Sequence, residues 1–356
     1  MKSNLLLFIS IPFTLGTFLY GFLPDDWKNS LPLEAILGLL PFLFLFLTSR
    51  DTKGRMLFLF ALFFSLGCLS ANAQFLTGQP EEVGENFFSL CRRSLQESIG
   101  NLDLSDSNHK SLICALLSGE KSSLGPEIKE HFRKSGASHL LALSGLHLGI
   151  IATIMDKLLS LLGKSRSGYA LRQALLILSC GFYTLVCGAS PSLLRAFLFI
   201  LYRSLGRLLP ERKASAFNAL LLACLIQLNL NPLAVKSLSF QLSYLASLSL
   251  LSLYPFLKQW LPARRGIAAK IWDSLALSLS CQLFTAPVVY LHFGALPKYF
   301  MLTNLLALPL CELLIILSAI LLTTNSLGYC PRLLCMAVDS CAEMLLTLLG
   351  KIASIP

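Results

Sequence analysis

Residues 299–322 read YFMLTNLLALPLCELLIILSAILL, and this one stretch decides the fold. It holds a single acid, Glu312, a single amide, Asn304, and no base. A helix rising 1.5 Å per residue crosses the hydrocarbon core of a bilayer in about 20 residues, so a run this long and this apolar reads as a spanning helix. Runs of similar length and character occur at residues 4–23, 31–48, 55–73, 136–156, 170–187, 191–209, 214–230, 233–255, 271–290 and 333–350. The expected fold is all-α: a polytopic membrane helix bundle of about eleven spans, with amphipathic surface helices and several broken helices. The 356-residue composition agrees, since 55% hydrophobic against 13% charged residues excludes soluble, collagen-like, disordered and coiled-coil classes.

The net charge of +10 has a topological explanation. With the N-terminus in the cytosol, sixteen Lys and Arg residues fall at cytosolic ends and loops, among them Arg203, Arg207, Lys258 and Arg332, against four on the opposite short loops. That asymmetry is a positive-inside signature, and nucleic-acid binding is not needed to account for it. The first run, after Lys2, is expected to be a retained helix rather than a cleaved signal. The eleven cysteines lie mostly inside apolar runs, and Cys330 with Cys335 is the pair near a water interface. Neither a disulfide framework nor a metal spacing is expected.

Four regions follow: a three-span portion at 1–73, an exterior or surface-lying helical segment at 74–135, a core at 136–325, and a last span at 326–356. The second carries seven Lys/Arg and nine Asp/Glu. Helices are expected at Glu85–Ile99, Asn108–Leu117 and Pro126–Lys134, lying on the membrane surface or packed on the bundle.

Polar and helix-breaking residues recur inside the apolar runs. SGASHLLALSGLHLG, residues 135–149, places His139 and His147 eight residues apart, about 12 Å along a helix axis, too far for one metal ion. Gly145 and Gly149 form a GxxxG pair suited to close helix packing. His147 reads either as a group in a polar cavity or as one satisfied by an interhelical hydrogen bond. In CGASPSLLRA, residues 187–196, Gly188 and Pro191 break a long apolar stretch and Arg195 follows one turn later. Arg195 either faces an aqueous interior or snorkels to the outer interface. In NPLAVKSLSFQLSYLA, residues 231–246, Pro232 ends one helix, Lys236 precedes the next and Gln241 lies within it. Gln282 with Pro287, and Asn304 with Pro309, repeat the pairing of an amide with a proline. Together they suggest a water-accessible path lined by discontinuous helices. Asp339 and Glu343 share one face of the last span, an arrangement that suits a cation or a proton. No Walker, HExxH, GxSxG or CxxC motif occurs.

These stretches, in this order and spacing over residues 86 to about 325, resemble the competence domain of ComEC-type DNA uptake channels. The resemblance implies a multi-pass protein of the bacterial cytoplasmic (inner) membrane that passes single-stranded DNA into the cytosol during natural transformation. The matching motif positions are His139, Ser144, Gly145, His147, Arg195 and Gln241. Larger relatives carry an OB-like exterior domain and a metallo-β-lactamase-like domain. Neither is expected here, so no enzymatic activity, cofactor or metal is expected of this chain. Ser239 stands where a glycine usually precedes FQLS. Implied partners are single-stranded DNA, a cytosolic ATP-driven motor or helicase, exterior DNA-receptor proteins, a separate nuclease and the lipid bilayer. Two other classes remain open: a small-solute or ion secondary transporter with a site at the broken helices, and a membrane enzyme using Ser144 with His147.

Overall fold

The computed structural model describes residues 5–23, 52–77, 86–160, 166–208, 215–260 and 266–355. All regular structure among these is helical: α1 (Leu5–Phe22), α2 (Thr52–Thr77), α3 (Phe87–Gly100), α4 (Ser107–Ser118), α5 (Pro126–Lys134), α6 (Gly145–Leu159), α7 (Arg166–Val186), α8 (Pro191–Leu208), α9 (Ala216–Leu230), a 3₁₀ turn (Pro232–Lys236), α10 (Leu238–Ser252), α11 (Tyr254–Lys258), α12 (Ile267–Phe293), α13 (Phe300–Ser326) and α14 (Arg332–Ala353). They form two compact units, one of residues 1–84 with 198–244, the other of residues 85–197 with 245–356.

Among the described residues, four helices are long and apolar enough to cross a membrane: α7 over Ser167–Val186, α12 over Ala268–Phe293, α13 and α14. Two of them carry exposed apolar residues seven apart, Leu171, Leu178 and Leu185 on α7 and Leu306, Leu313 and Ile320 on α13. Apolar side chains in such stripes on the outside of a fold suit contact with hydrocarbon rather than water. Shorter apolar helices cover Ile9–Tyr20, Phe58–Ala73, Ala216–Leu230 and Leu238–Ser252. Of the eleven expected spans, 31–48 lies outside the described residues.

The expected span at 136–156 is corrected. Its helix starts only at Gly145 and runs 15 residues, about 22 Å, short of the ~30 Å hydrocarbon core. Residues 135–144 form turns instead, because Ser144 adopts an extended backbone and caps the helix that follows. Two expected breaks are also absent: Pro287 lies inside continuous α12 and Pro309 inside continuous α13. In apolar surroundings one lost backbone bond is tolerated, since unravelling the turn would orphan more groups. Around Pro309 the fully buried Ala307 and Cys311 hold the helix in place. The other two breaks are present. Gly188 (φ +77°) and Ala189 (φ +46°) turn the chain between α7 and α8, and Pro191 opens α8. Pro232 opens the 3₁₀ turn, capped by Asn231, whose side chain accepts from Ala234 N.

In the first unit, α1 and α2 touch backbone to backbone: a Cβ on Gly16 would overlap the Phe64 carbonyl, and one on Gly67 the Phe13 carbonyl. Asn72 Nδ2 donates to Tyr20 Oη at 3.1 Å across the same pair. Phe13, Leu225, Leu228, Val235 and Phe240 form this unit's core.

In the second unit, α4 is not a surface helix. His109, Leu112, Ile113, Ala115, Leu116 and Leu117 are buried, in one core with Ala307, Cys311, Leu314 and Ile315 of α13 and Val338, Ala342 and Leu345 of α14. A helix with apolar groups around most of its girth is stable only when covered on several sides. Asp106 starts it by accepting from Asn108 N at 2.9 Å, and Gly119 in the left-handed conformation ends it. By contrast α3 leaves Phe87 and Leu90 exposed.

Candidate functional site

The loop at residues 135–144 is fixed by three elements. At its start Ala137 N donates to Phe132 O of α5 at 2.8 Å, and Thr303 Oγ1 of α13 donates to Ser135 O at 2.7 Å. Gly136 has φ +79°, and a Cβ there would stand 2.7 Å from Pro297 Cβ; a side chain at this position would be both strained and obstructed. At its end Ser192 Oγ of α8 donates to Leu143 O at 2.5 Å.

His139 projects from this loop, with Nδ1 3.1 Å from Gly136 O and its ring 5.3 Å from that of Phe300. Asn304 lies near the same imidazole; its Nδ2 donates to Ser278 Oγ of α12 at 3.2 Å, and its buried Oδ1 has no hydrogen-bond partner among the described residues. Gln282, one turn beyond Ser278, is half-buried.

Ser144 and His147 close the loop as a capping box. Ser144 N donates to His147 Nδ1 at 3.2 Å, and Ser144 Oγ accepts from Leu146 N at 3.2 Å. A backbone amide can only donate, so Nδ1 carries the lone pair and the ring proton sits on Nε2. Ser144 Oγ, 3.0 Å from Nδ1, then directs its own proton to it. His147 is 1% exposed, and Nε2 meets no hydrogen-bond partner among the described residues. A buried N–H left so costs about 1–3 kcal/mol. Ser144 and His147 do meet, but among the described residues no carboxylate orients the ring in the manner of a nucleophile–base pair.

Arg195 completes the cluster. A Cβ built on Gly145 would lie 3.3 Å from Ala196 Cβ and 3.3 Å from Arg195 Nη2, so the guanidinium rests against the first residue of α6. The close approach expected of the Gly145/Gly149 pair is made by Gly145 alone; nothing described lies within 4 Å of a Cβ on Gly149. The positive end of α6, at Gly145, thus meets Arg195 and Ala196 in the second turn of α8. A cation beside a helix N-terminus favours an anion. Nearby along the chain, Arg92 Nη1 lies 3.7 Å from where a Gly188 Cβ would be, and Arg92 Nη2 lies 3.9 Å from Glu120. The Ser122 backbone N–H, more than the Arg92 charge, holds the Glu120 carboxyl below its usual range.

Three of the four sequence stretches thus come together in the second unit, through His139, Ser144, Gly145, His147, Arg195 and Asn304. The fourth belongs to the first unit. There Gln241 Nε2 donates to Val235 O at 3.0 Å, Tyr244 Oη donates to Gln227 Oε1 at 2.8 Å, and Lys236 is exposed.

A separate polar cluster was only half visible beforehand. His109, 3% exposed, sits with Nδ1 2.8 Å from Asp339 Oδ1 and Nε2 3.2 Å from Glu343 Oε2. Asp339 Oδ2 also accepts from Ser105 N at 3.0 Å. The shared face of Asp339 and Glu343 was readable; their histidine was not. No group of three His, Cys, Asp or Glu among the described residues is arranged to hold a metal ion.

A family model described as "Competence protein" matches residues 116–356. The chain belongs to the competence protein family. The match begins within α4 and includes α14, with Asp339 and Glu343. Among relatives, "ComE operon protein 3" of Bacillus subtilis (strain 168) is 30% identical over 198 residues, 56% of this chain and 24% of that protein. "Uncharacterized protein YcaI" of Escherichia coli (strain K12) is 27% identical over 213 residues, 56% of this chain and 27% of that protein. The aligned region is therefore about a quarter of each relative's length. No solved structure matches the chain.

Proposed function

We propose that this chain forms a conduit in the bacterial cytoplasmic membrane through which single-stranded DNA enters the cytosol during natural transformation. The observation that carries this reading is the placement of the Arg195 guanidinium against Gly145, the first residue of the helix whose first turn also holds the buried His147. A passing phosphate is the anion such a spot suits. Transit requires that each contact be weak enough to release, so a small number of dispersed cationic contacts fits a conduit better than a dense basic groove. Membership of the competence family and the apolar outer faces of α7 and α13 support the same reading.

Inward movement of each negative charge against a potential of about 100 mV, inside negative, costs roughly 2.3 kcal/mol. No nucleotide-binding motif occurs in the chain, and the reading therefore includes a cytosolic ATP-driven motor or helicase as partner. Exterior receptor proteins would deliver the DNA, and a separate nuclease would degrade the other strand. The motor would dock on the basic loops at residues 203–213 and 257–270, of which 209–213 and 261–265 lie outside the described residues.

The test is transformation frequency in the source bacterium lacking this chain, complemented with wild type, Arg195→Ala, Arg195→Lys and His147→Ala. The deletion is expected to abolish transformation, and Arg195→Ala to restore at most about a tenth of it, the scale of one charge-assisted hydrogen bond. Arg195→Lys should fall between. Undiminished transformation in the deletion strain rejects the reading.

A further inference from the structure

The turn between α13 and α14 brings two thiols together. Cys330 Sγ and Cys335 Sγ stand 3.3 Å apart, Cys330 exposed and Cys335 6% exposed. Pro331 caps α14 and accepts from both Leu334 N and Cys335 N. Cys330 is thus the residue before the cap and Cys335 the fourth of the helix. These are the two positions at which apolar side chains pack to fix the angle of chain entry into a helix. The backbone itself holds the pair in register. A disulfide needs its sulfurs at about 2.05 Å, a further approach of roughly 1.3 Å that side-chain rotation at the exposed Cys330 can supply.

The location is also reachable. α13 and α14 are both of spanning length, so the turn joining them lies at a membrane–water boundary. Leu327, Tyr329 and Leu333 around it are exposed. The other thiols in this region, Cys311 and Cys341, are buried within the helix pair and have no exposed neighbour thiol.

We infer that Cys330 and Cys335 are a reversible dithiol–disulfide site that takes a soluble disulfide of the glutathione class as its oxidant. The Cys330 thiolate attacks one sulfur of the incoming disulfide, forming a mixed disulfide and releasing one thiol. The Cys335 thiolate then attacks Cys330 Sγ, closing the intramolecular bond and releasing the second thiol. Two electrons and two protons pass from the pair to the oxidant, which leaves as two thiols; excess thiol reverses both steps. Cys330 is the attacking group because it is exposed, and Cys335 the resolving one because only its neighbour can reach it. Oxidation turns a packing contact at the start of α14 into a covalent one, one turn before Asp339.

The experiment uses full-length protein in isolated membranes equilibrated with glutathione buffers from reducing to oxidising. Free thiols are then alkylated, and the protein is digested with trypsin. Cleavage after Arg332 separates Cys330, in peptide 299–332, from Cys335, in peptide 333–351. A disulfide between them rejoins the two peptides by mass, and reduction parts them. The expected result is a linked pair that rises from near absence to the major form as the buffer becomes oxidising, with a fragmentation series placing the bond at 330 and 335. Cys335→Ser should instead carry glutathione on Cys330, and Cys330→Ser should remain unmodified at Cys335. The inference is overturned if wild type stays unlinked in oxidising buffer, if it accumulates glutathione on Cys330 without closing, or if the link uses Cys311 or Cys341. The wild-type result stands alone if either variant does not fold. It is also independent of whether the chain conducts DNA.

Discussion

His109 on α4 and Asp339 on α14, 230 residues apart in the chain, meet at 2.8 Å, and the second ring nitrogen of His109 meets Glu343 at 3.2 Å. The cluster joins α4 to α14. Removing the imidazole leaves the Asp339 carboxylate, among the described residues, with Ser105. We expect His109→Ala to destabilise the detergent-solubilised protein by about 1.5–3 kcal/mol, the scale of hydrogen bonds to charged groups. Glu343→Gln should cost well under half as much, because the Glu343 side chain is 66% exposed and solvent replaces its contact. Thermal unfolding of both variants checks this; equal losses would show that the cluster is not centred on Asp339.

Much of this fold was legible in the sequence, for local reasons. Pro126 opens α5 where expected, the apolar runs at 271–290 and 333–350 lie inside α12 and α14, and the run at 299–322 lies inside α13 but for Tyr299, its N-cap. The start of α6 was hidden because LLALSGLHLG keeps an apolar rhythm straight through Ser144, and only the backbone shows that serine as a cap. Pro287 and Pro309 misled because proline is a weaker breaker in apolar surroundings than in water. The grouping of Arg195 with Gly145, and of His109 with Asp339, depends on tertiary packing that no local pattern encodes. His147 was placed between a cavity and a satisfied bond; one of its nitrogens is satisfied and the other is not.

The two glycines of the GxxxG pair separate packing from spacing. A methyl at Gly145 is tight against Ala196 and Arg195, whereas one at Gly149 meets nothing described. Gly145→Val should push the Arg195 guanidinium aside and lower transformation about tenfold or more, with a stability loss of about 1–3 kcal/mol. Gly149→Ala should leave transformation intact and slightly raise stability through helix propensity. A Gly149→Ala variant as impaired as Gly145→Val would refute the asymmetry.

The α1–α2 pair rests on backbone contact at Gly16 and Gly67. Such small-residue contacts let helices approach until their main chains touch. Gly16→Val and Gly67→Val should each lower the unfolding temperature in detergent, by about 1–3 kcal/mol of overpacking. Their double variant should cost less than the sum, because the first substitution already separates the helices. Strict additivity would argue against a shared interface.

Asp106 gives α4 a pH dependence. The Asn108 backbone N–H, first among its contacts, holds the Asp106 carboxyl below its ordinary value. A carboxylate lowered on folding contributes stability above its unfolded pKa of about 3.9 and loses it as pH falls through the folded value. Asp106→Asn keeps a capping side chain but no titrating one. The difference in unfolding temperature between wild type and Asp106→Asn should therefore be constant above pH 5 and shrink in wild type's disfavour towards pH 3. A difference unchanged across that range would place the cap's contribution outside its charge.

Ser144 distinguishes a structural role from a chemical one. Its hydroxyl accepts from Leu146 N at 3.2 Å and lies 3.0 Å from His147 Nδ1, a geometry shared by a helix cap and by a nucleophile beside its base. The two roles respond oppositely to one substitution. Asparagine caps a helix about as well as serine but cannot act as a hydroxyl nucleophile, and alanine does neither. If Ser144 works as a cap, Ser144→Asn keeps transformation within a few-fold of wild type, while Ser144→Ala loses about 0.5–2 kcal/mol of stability and activity with it. If Ser144 forms a covalent intermediate, both variants are inactive with the fold intact. Because the hydroxyl is already committed to a backbone amide, and the far side of His147 faces no carboxylate among the described residues, the first outcome is the one expected.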